Sequence, residues 1–286
     1  MNIVTIADLQ NKYFGKIDHL DFDLLVAHVI KKSREFVMSH PEHKLSPLKI
    51  VNCKLKITRR MRDEPLAYIL GHKEFYGLDF KVSPDTLIPR PETELLVELA
   101  IQETKNKKQK TSIIDVGTGS GNIIISIAKN VSHEIKFYAT DISSAAIAIA
   151  KANAKIHNVN QKIKFLHGNL LEPVFENCKL KIENSQMIIL ANLPYLSKEI
   201  YNATLPNVKK YEPKSALYSP KEGLDHYEKL LQQISRLNPT ICTIFLEISP
   251  EQKNKITKII KSILPQSKIE FRKDLANRWR LCKIEI

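Results

Sequence analysis

The stretch Asp115-Val116-Gly117-Thr118-Gly119-Ser120-Gly121 constrains this chain more than any other. Ile113 and Ile114 before it make a short apolar run ending at Asp115, which reads as a buried strand. Ile123, Ile124, Ile125, Ile127 and Ala128 after it read as a helix that is apolar on most sides. A strand, a tight glycine turn and a helix form a unit of an α/β fold. Glycines lack the Cβ that would hold a ligand away from the backbone. The spacing is G-x-G-x-G, and Asn122 stands where a dinucleotide fingerprint carries its third glycine, so the spacing argues against NAD.

With Asp115 two residues ahead of the first glycine, the turn resembles the D-x-G-x-G-x-G pattern of class I methyltransferases that use S-adenosylmethionine (SAM). That resemblance assigns Asp115, Gly117, Thr118, Gly119, Ser120 and Gly121 to the cofactor. Lys136 to Thr140 reads as the next strand, with Asp141 at its end, 20 positions beyond Gly121. A carboxylate there is placed to accept hydrogen bonds from ribose hydroxyls, with Ile142 beside it. Ser143 or Ser144 can cap the following helix, Ala145 to His157. A third strand, Lys162 to Leu166, leads to Asn169 and Leu170. Methyltransferases of this type often carry an acidic residue there for the adenine amino group. Asn169 offers an amide oxygen without a charge, and Leu170 an apolar surface for the ring.

Met187-Ile188-Ile189-Leu190-Ala191 is a continuous apolar run, as a central parallel strand requires. It delivers Asn192-Leu193-Pro194-Tyr195 to the C-terminal edge, where open α/β sheets bind ligands. The tetrapeptide supplies an amide oxygen, a backbone carbonyl and an aromatic face, which suit a flat NH2 group. With the glycine turn it points to methyl transfer from SAM to a planar nitrogen, with Asn192, Leu193, Pro194 and Tyr195 as the catalytic group. Asn192 also borders the cofactor.

Composition narrows the class. At 286 residues and 43% hydrophobic content the chain can build one large domain and a small one. No run of 18 apolar residues is present, so no membrane span is expected. The first residues, Met1 to Asp8, lack the basic and apolar regions of a secretory signal, and a cytoplasmic location is expected. Cys53, Cys178, Cys242 and Cys282 are scattered without a C-x-x-C pair, and the histidines show no H-E-x-x-H spacing. No metal is expected. The net charge of +13 would suit an anionic partner. However, the densest run, Lys105-Asn106-Lys107-Lys108-Gln109-Lys110, reads as a solvated connection. No basic platform interleaved with aromatics is visible, and direct nucleic-acid binding is not expected.

The organisation changes along the chain. Residues 1 to about 70 read as helices, with Leu20, Phe22, Leu24, Leu25, Val29 and Ile30 at helical spacing and another helix from Pro47 to Arg59. No strand of comparable quality interrupts them. Glu74 to Ser83 alternates as a β-hairpin with Gly77 near its turn. Pro89-Arg90-Pro91-Glu92-Thr93-Glu94 opens a helix. After residue 111 strands and helices alternate: a strand from Thr240 to Ile248, a helix from Pro250 to Leu264, and closing strands Lys268 to Arg272 and Arg280 to Ile286.

The segments Glu64-Pro65-Leu66-Ala67-Tyr68-Ile69-Leu70-Gly71, Glu74-Phe75-Tyr76-Gly77 and Leu87-Ile88-Pro89-Arg90-Pro91-Glu92-Thr93-Glu94 resemble the HemK/PrmC family, the release factor glutamine methyltransferases. The resemblance continues through Asp115 to Gly121, Asp141, Asn192 to Tyr195, Glu212-Pro213 with Gly223, and Leu246-Glu247-Ile248. It implies a helical release-factor-binding domain over residues 1–72, a β-hairpin linker over 73–90, and a SAM-dependent methyltransferase domain with a Rossmann-like, seven-stranded mixed sheet over 91–286. It also implies the substrate, the glutamine of the Gly-Gly-Gln motif in class 1 peptide chain release factors, and S-adenosylhomocysteine as the second product. Three positions depart from the family. Leu193 replaces the first proline of N-P-P-Y, keeping the carbonyl but losing the fixed φ. Ser249 and Asn277 stand where the family often has glycine, and Asn tolerates a positive φ better than Ser.

Two other functions fit parts of the pattern. An adenine-N6 methyltransferase acting on DNA or RNA would use N-x-P-Y in the same way on a flipped-out base. The I-P-R-P-E-T-E resemblance and the absence of a target-recognition segment weigh against it. A SAM-binding or ribosome-associated module without activity would have no need of intact Asn192, Pro194 and Tyr195.

Overall fold

A computed structural model describes residues 4–105, 111–131, 135–178, 186–239 and 241–286. Most of the basic run, from Asn106 to Lys110, lies outside the described residues, as do Met1 to Ile3, Thr240 and the Cys178 side chain. Two compact units emerge, Met1–His72 with Pro206–Tyr211, and Lys73–Leu205 with Glu212–Ile286.

The smaller unit is built on helices Ile6–Tyr13, His19–Ile30, Arg34–Ser39, Pro47–Arg60 and Leu66–Leu70. Thr5, Asp18, Ser33 and Ser46 each accept a backbone N–H at the start of a helix, so polar punctuation fixes where each begins. Apolar positions on these helices meet in a core of Ile6, Leu9, Leu25, Val26, Cys53 and Ile57. One feature was not expected. β1 (Val4–Thr5) and β2 (Lys44–Leu45) form a two-residue antiparallel ladder. Strands this short carry no alternation for a pattern to reveal. The helix Pro206–Tyr211 also groups with this unit, where Tyr211 Oη donates to the Arg62 carbonyl at 2.9 Å.

The hairpin of β3 (His72–Phe75) and β4 (Leu78–Lys81) turns through Tyr76 and Gly77, at φ 52° and 69°. Two left-handed residues in succession suit a two-residue hairpin turn. Phe75 and Phe80 are buried with Leu96, Val97 and Ile124. The hairpin is therefore part of the larger unit's core. Asn153 ties it down, accepting from the Lys81 N–H at 2.8 Å and donating to the carbonyls of Lys81 and Ser120 at 2.9 and 2.8 Å.

Among the described residues the larger unit holds a seven-stranded sheet. Its strands are β5 (Thr111–Val116), β6 (Ile135–Asp141), β7 (Ile163–His167), β8 (Gln186–Ala191), β9 (Cys242–Glu247), β10 (Lys268–Lys273) and β11 (Trp279–Glu285), in spatial order β10-β11-β9-β8-β5-β6-β7. β9, β8, β5, β6 and β7 pair in parallel, and β11 runs antiparallel to both its neighbours. The sheet is thus mixed, as the sequence implies. β5, β8 and β9 are buried along their whole lengths, which explains the continuous apolar run of β8. The helix Asp225–Leu237, which has no counterpart in the sequence reading, covers one face through Tyr227, Leu230, Leu231 and Ile234. Chain order reverses between β5 and β8, and such a reversal opens a crevice at the C-terminal strand ends. Cys53, Cys242 and Cys282 are free thiols. No helix among the described residues is long and apolar enough to cross a membrane.

Candidate active site

Register brings the predicted residues to one sheet edge. Val116 pairs with Ala191 and Thr140, and Asp141 with His167, so the segments after β5, β6, β7 and β8 leave the sheet together. A cavity opens there, and its walls include Gly117, Thr118, Gly119 and Ser120, then Asp141, Ile142, Asn169 and Leu170, then Asn192, Leu193 and Pro194.

The glycine turn is built as a cradle. Gly117 and Gly119 take φ of 75° and 55°, a region costly for residues with a Cβ. A Cβ at Gly117 would also come within 2.8 Å of Leu193 Cδ2, so the glycine lets the two loops touch. The helix Asn122–Asn130 begins at Gly121 without a side-chain cap from that residue, while the Ile124 N–H in its first turn is taken by Asp115. Asp115 and Gly121 are not among the residues lining the cavity. Asp115 is fully buried, its Oδ2 accepting from Thr118 Oγ1 at 2.6 Å. Burial pushes its carboxyl up to about 7, with the nearby Asp141 charge adding to the shift. It acts on the shape of the turn from below.

Asp141 holds the turn from the other side. Its Oδ2 accepts from the Gly119 N–H at 2.9 Å and its Oδ1 from the Ser143 N–H at 2.8 Å. Burial raises its pKa, and these hydrogen bonds oppose the rise. Ser143 caps the next helix, Ser144–Ile156. Asn169 donates its NH2 to Glu172 Oε1 at 3.1 Å, which leaves its amide oxygen as an acceptor. Leu170 is held at φ 48°.

The Asn192 loop is braced by groups distant in sequence. Asn192 Nδ2 donates to Thr93 Oγ1 at 3.1 Å, and Thr93 Oγ1 donates to Glu247 Oε2 at 2.7 Å. Tyr195 does not line the cavity. Its hydroxyl lies 3.5 Å from Glu247 Oε1, and burial raises its pKa. The half-buried ring packs against the core cluster that contains Leu193 and Tyr227. Tyr227 Oη reaches both the Leu193 carbonyl, at 3.4 Å, and the Glu247 carbonyl. Gln252 Nε2 donates to the Tyr195 carbonyl at 2.9 Å. Ser249 is extended at φ −78°, whereas Asn277 is left-handed at φ 61°. Only the second position needs the tolerance that Asn offers.

Thr93, Arg90 and His226 also line the cavity. Arg90 Nη2 is 2.5 Å from Oε1 of the buried Glu212. Nδ1 of His226 is 2.7 Å from Ser219 Oγ, and burial lowers its pKa. Arg90 and Thr93 had a signal in I-P-R-P-E-T-E, but that motif gave no role to either. His226 belongs to no motif. Among the described residues no cluster of His, Cys, Asp or Glu is placed to hold a metal ion.

Comparison with known proteins bears on this geometry. The family described as the PrmC N-terminal domain matches residues 7–71, and the family described as N-6 DNA Methylase matches residues 85–270. The release factor glutamine methyltransferase of Dictyoglomus turgidum is 36% identical over 93% of this chain and 90% of its own length. That of Coxiella burnetii is 35% identical, covering 93% and 91%. The crystal structure of the N-terminal domain of human METTL16 in complex with SAH aligns with a TM-score of 0.50 and 15% identity, covering 96% of both chains. That likeness concerns the fold.

Proposed function

The chain belongs to the release factor glutamine methyltransferases, its catalytic portion falls within the N-6 DNA methylase family, and from this premise we propose that it methylates the glutamine side-chain nitrogen (N5) of the Gly-Gly-Gln motif in class 1 peptide chain release factors. It is a class I SAM-dependent methyltransferase. The observation that carries the substrate class is that Asn192 and Leu193 line a cavity beside the glycine cradle.

An amide nitrogen is a poor nucleophile because its lone pair is delocalised into the carbonyl. SAM, when bound, supplies an electrophilic methyl group. The protein has then mainly to align the nitrogen with that group. Asn192 Oδ1 and the Leu193 carbonyl accept the two N–H bonds of the substrate amide. They hold its lone pair toward the methyl donor and stabilise positive charge as it forms. No side chain is required as a general base, and the product proton leaves to water. Gly117 to Ser120 and Asp141 would hold the cofactor, Asp141 through ribose hydroxyls and Asn169 with Leu170 at the adenine. Asp115 shapes the turn. Pro194 limits the loop's freedom, and Tyr195 braces it. The reaction needs no metal, and the enzyme works in the cytoplasm on a protein partner without binding nucleic acid directly.

A second reading, adenine-N6 methylation of DNA or RNA, is favoured by the N-6 DNA Methylase match over residues 85–270. One assay separates the two. Labelled SAM is offered with release factor, with release factor whose Gly-Gly-Gln glutamine is replaced, and with DNA and tRNA. Label should enter the unaltered release factor alone. Label in nucleic acid and none in release factor would select the second reading.

A further inference from the structure

Glu247 is a carboxylate almost wholly removed from water at the end of β9, next to the strand that carries Asn192. Burying such a group is costly unless its partners compensate. The nearby guanidinium of Arg280 does so only in part, because its Nε and Nη2 both donate to Asp274 at 3.2 Å. A neutral glutamine would fill the same space at lower cost. What a carboxylate offers and glutamine does not is that, when ionised, it only accepts hydrogen bonds.

That property sets the direction of a chain of hydrogen bonds. The Thr93 hydroxyl has one proton, and Glu247 Oε2, at 2.7 Å, takes it. Thr93 Oγ1 is left with lone pairs only, so the Asn192 group facing it at 3.1 Å has to be the NH2. The amide oxygen is then turned to the other side. We propose that Glu247 and Thr93 are positioning residues that fix the Asn192 amide with its oxygen toward the acceptor nitrogen. The inference rests on methyl transfer to a planar NH2 group, as argued above. With glutamine at 247 the side chain can donate to Thr93 Oγ1. The Thr93 proton is then free for Asn192 Oδ1, the amide can turn over, and its NH2 would face the substrate's NH2.

The test uses the full chain with Glu247→Gln, Thr93→Val and Thr93→Ser, assayed on release factor and, in parallel, on adenine-containing DNA. Rates are compared on whichever acceptor the unaltered protein methylates. Glu247→Gln and Thr93→Val should lower kcat on the order of ten- to a hundred-fold, the scale seen when partners that orient a functional side chain are removed. KM for the acceptor and SAM affinity by calorimetry should stay within about threefold, because the amide is needed mainly as charge develops. Thr93→Ser, which keeps the hydroxyl, should recover most of the rate that Thr93→Val loses. Unchanged kcat in SAM-binding Glu247→Gln and Thr93→Val proteins would overturn the proposal. So would a loss confined to KM or SAM affinity, or a Thr93→Ser protein no better than Thr93→Val. An unaltered protein that methylates neither acceptor would defeat the functional reading and the relay together, whereas methylation of DNA alone would defeat only the release-factor assignment.

Discussion

Asn192 has one oxygen to offer and one geometry in which to offer it. Removing it with Asn192→Ala should lower kcat on release factor by about a hundred- to a thousand-fold, the scale of a single preorganised electrostatic partner. Release-factor affinity, which comes from a larger surface, should change far less, and steady-state kinetics with a binding titration check both. Glu247 makes a second expectation at this scale. Burial pushes its carboxyl from the ordinary 4.5 up to about 7, while Thr93, Arg280 and Tyr195 pull it down and Glu92 pushes it up. Tyr227 also faces it through the backbone carbonyl. The folded form thus keeps its proton at pH values where the unfolded chain has lost it. The stability this contributes is present below about pH 4.5 and is lost as pH rises through about 7. The melting temperature without SAM should therefore fall over that range, and fall less in Glu247→Gln. The methylation rate should rise over the same range, since only the ionised carboxylate fixes the direction of the chain. At this scale Asn192, Asp141, Gly117 and Gly119, which line the cavity, are legible in the sequence, because local spacing carries them. Thr93 and Arg90 stood in a motif without a role, since their partners Glu247 and Glu212 are more than a hundred residues away. The direction of the Tyr195 ring is not legible for a similar reason, as nothing in N-x-P-Y says which way it faces.

Elements fix these residues through close contacts. Lys221, Glu222 and Gly223 are consecutive left-handed residues at φ 50°, 58° and 85°, and a Cβ at Gly223 would collide with the Tyr195 carbonyl. Gln252 Nε2 bridges that carbonyl, at 2.9 Å, and the Glu222 carbonyl, at 3.2 Å. This strained stretch therefore sets the position of the loop that carries Asn192. Gly223→Ala should displace the loop, lowering methylation more than SAM affinity, with paired kinetics and calorimetry as the check. A SAM-binding Gly223→Ala protein at full rate would show that the stretch is not a buttress. Elements were legible where the pattern was strong. Parallel strands β5 and β8 are visible as apolar runs, and the ends of all five parallel strands are legible to within two residues. The helix Asp225–Leu237 was missed although Tyr227, Leu230, Leu231 and Ile234 fall at helical spacing. Its start follows the irregular backbone of residues 221–223, which carries no helix signal.

The whole molecule divides where Phe75 and Phe80 make the hairpin inseparable from the larger unit's core. A protein cut at Pro91 loses both rings. At about 3–5 kcal/mol for each large aromatic truncated in a core, that approaches the whole stability of a typical domain. A protein beginning at Lys73 keeps them. It should bind SAM but methylate release factor with a much lower kcat/KM, because remote contacts position the glutamine. Equal kcat/KM for the two lengths would remove the substrate-docking role from the first 72 residues. The central claim is that the methyl group reaches one glutamine nitrogen. Fragmentation mass spectrometry of release factor incubated with this protein and SAM tests it directly. A single added methyl should lie on the glutamine of Gly-Gly-Gln and be absent with Asn192→Ala. A methyl on any other residue, or an unmodified release factor beside methylated adenine in added DNA or tRNA, would contradict the account.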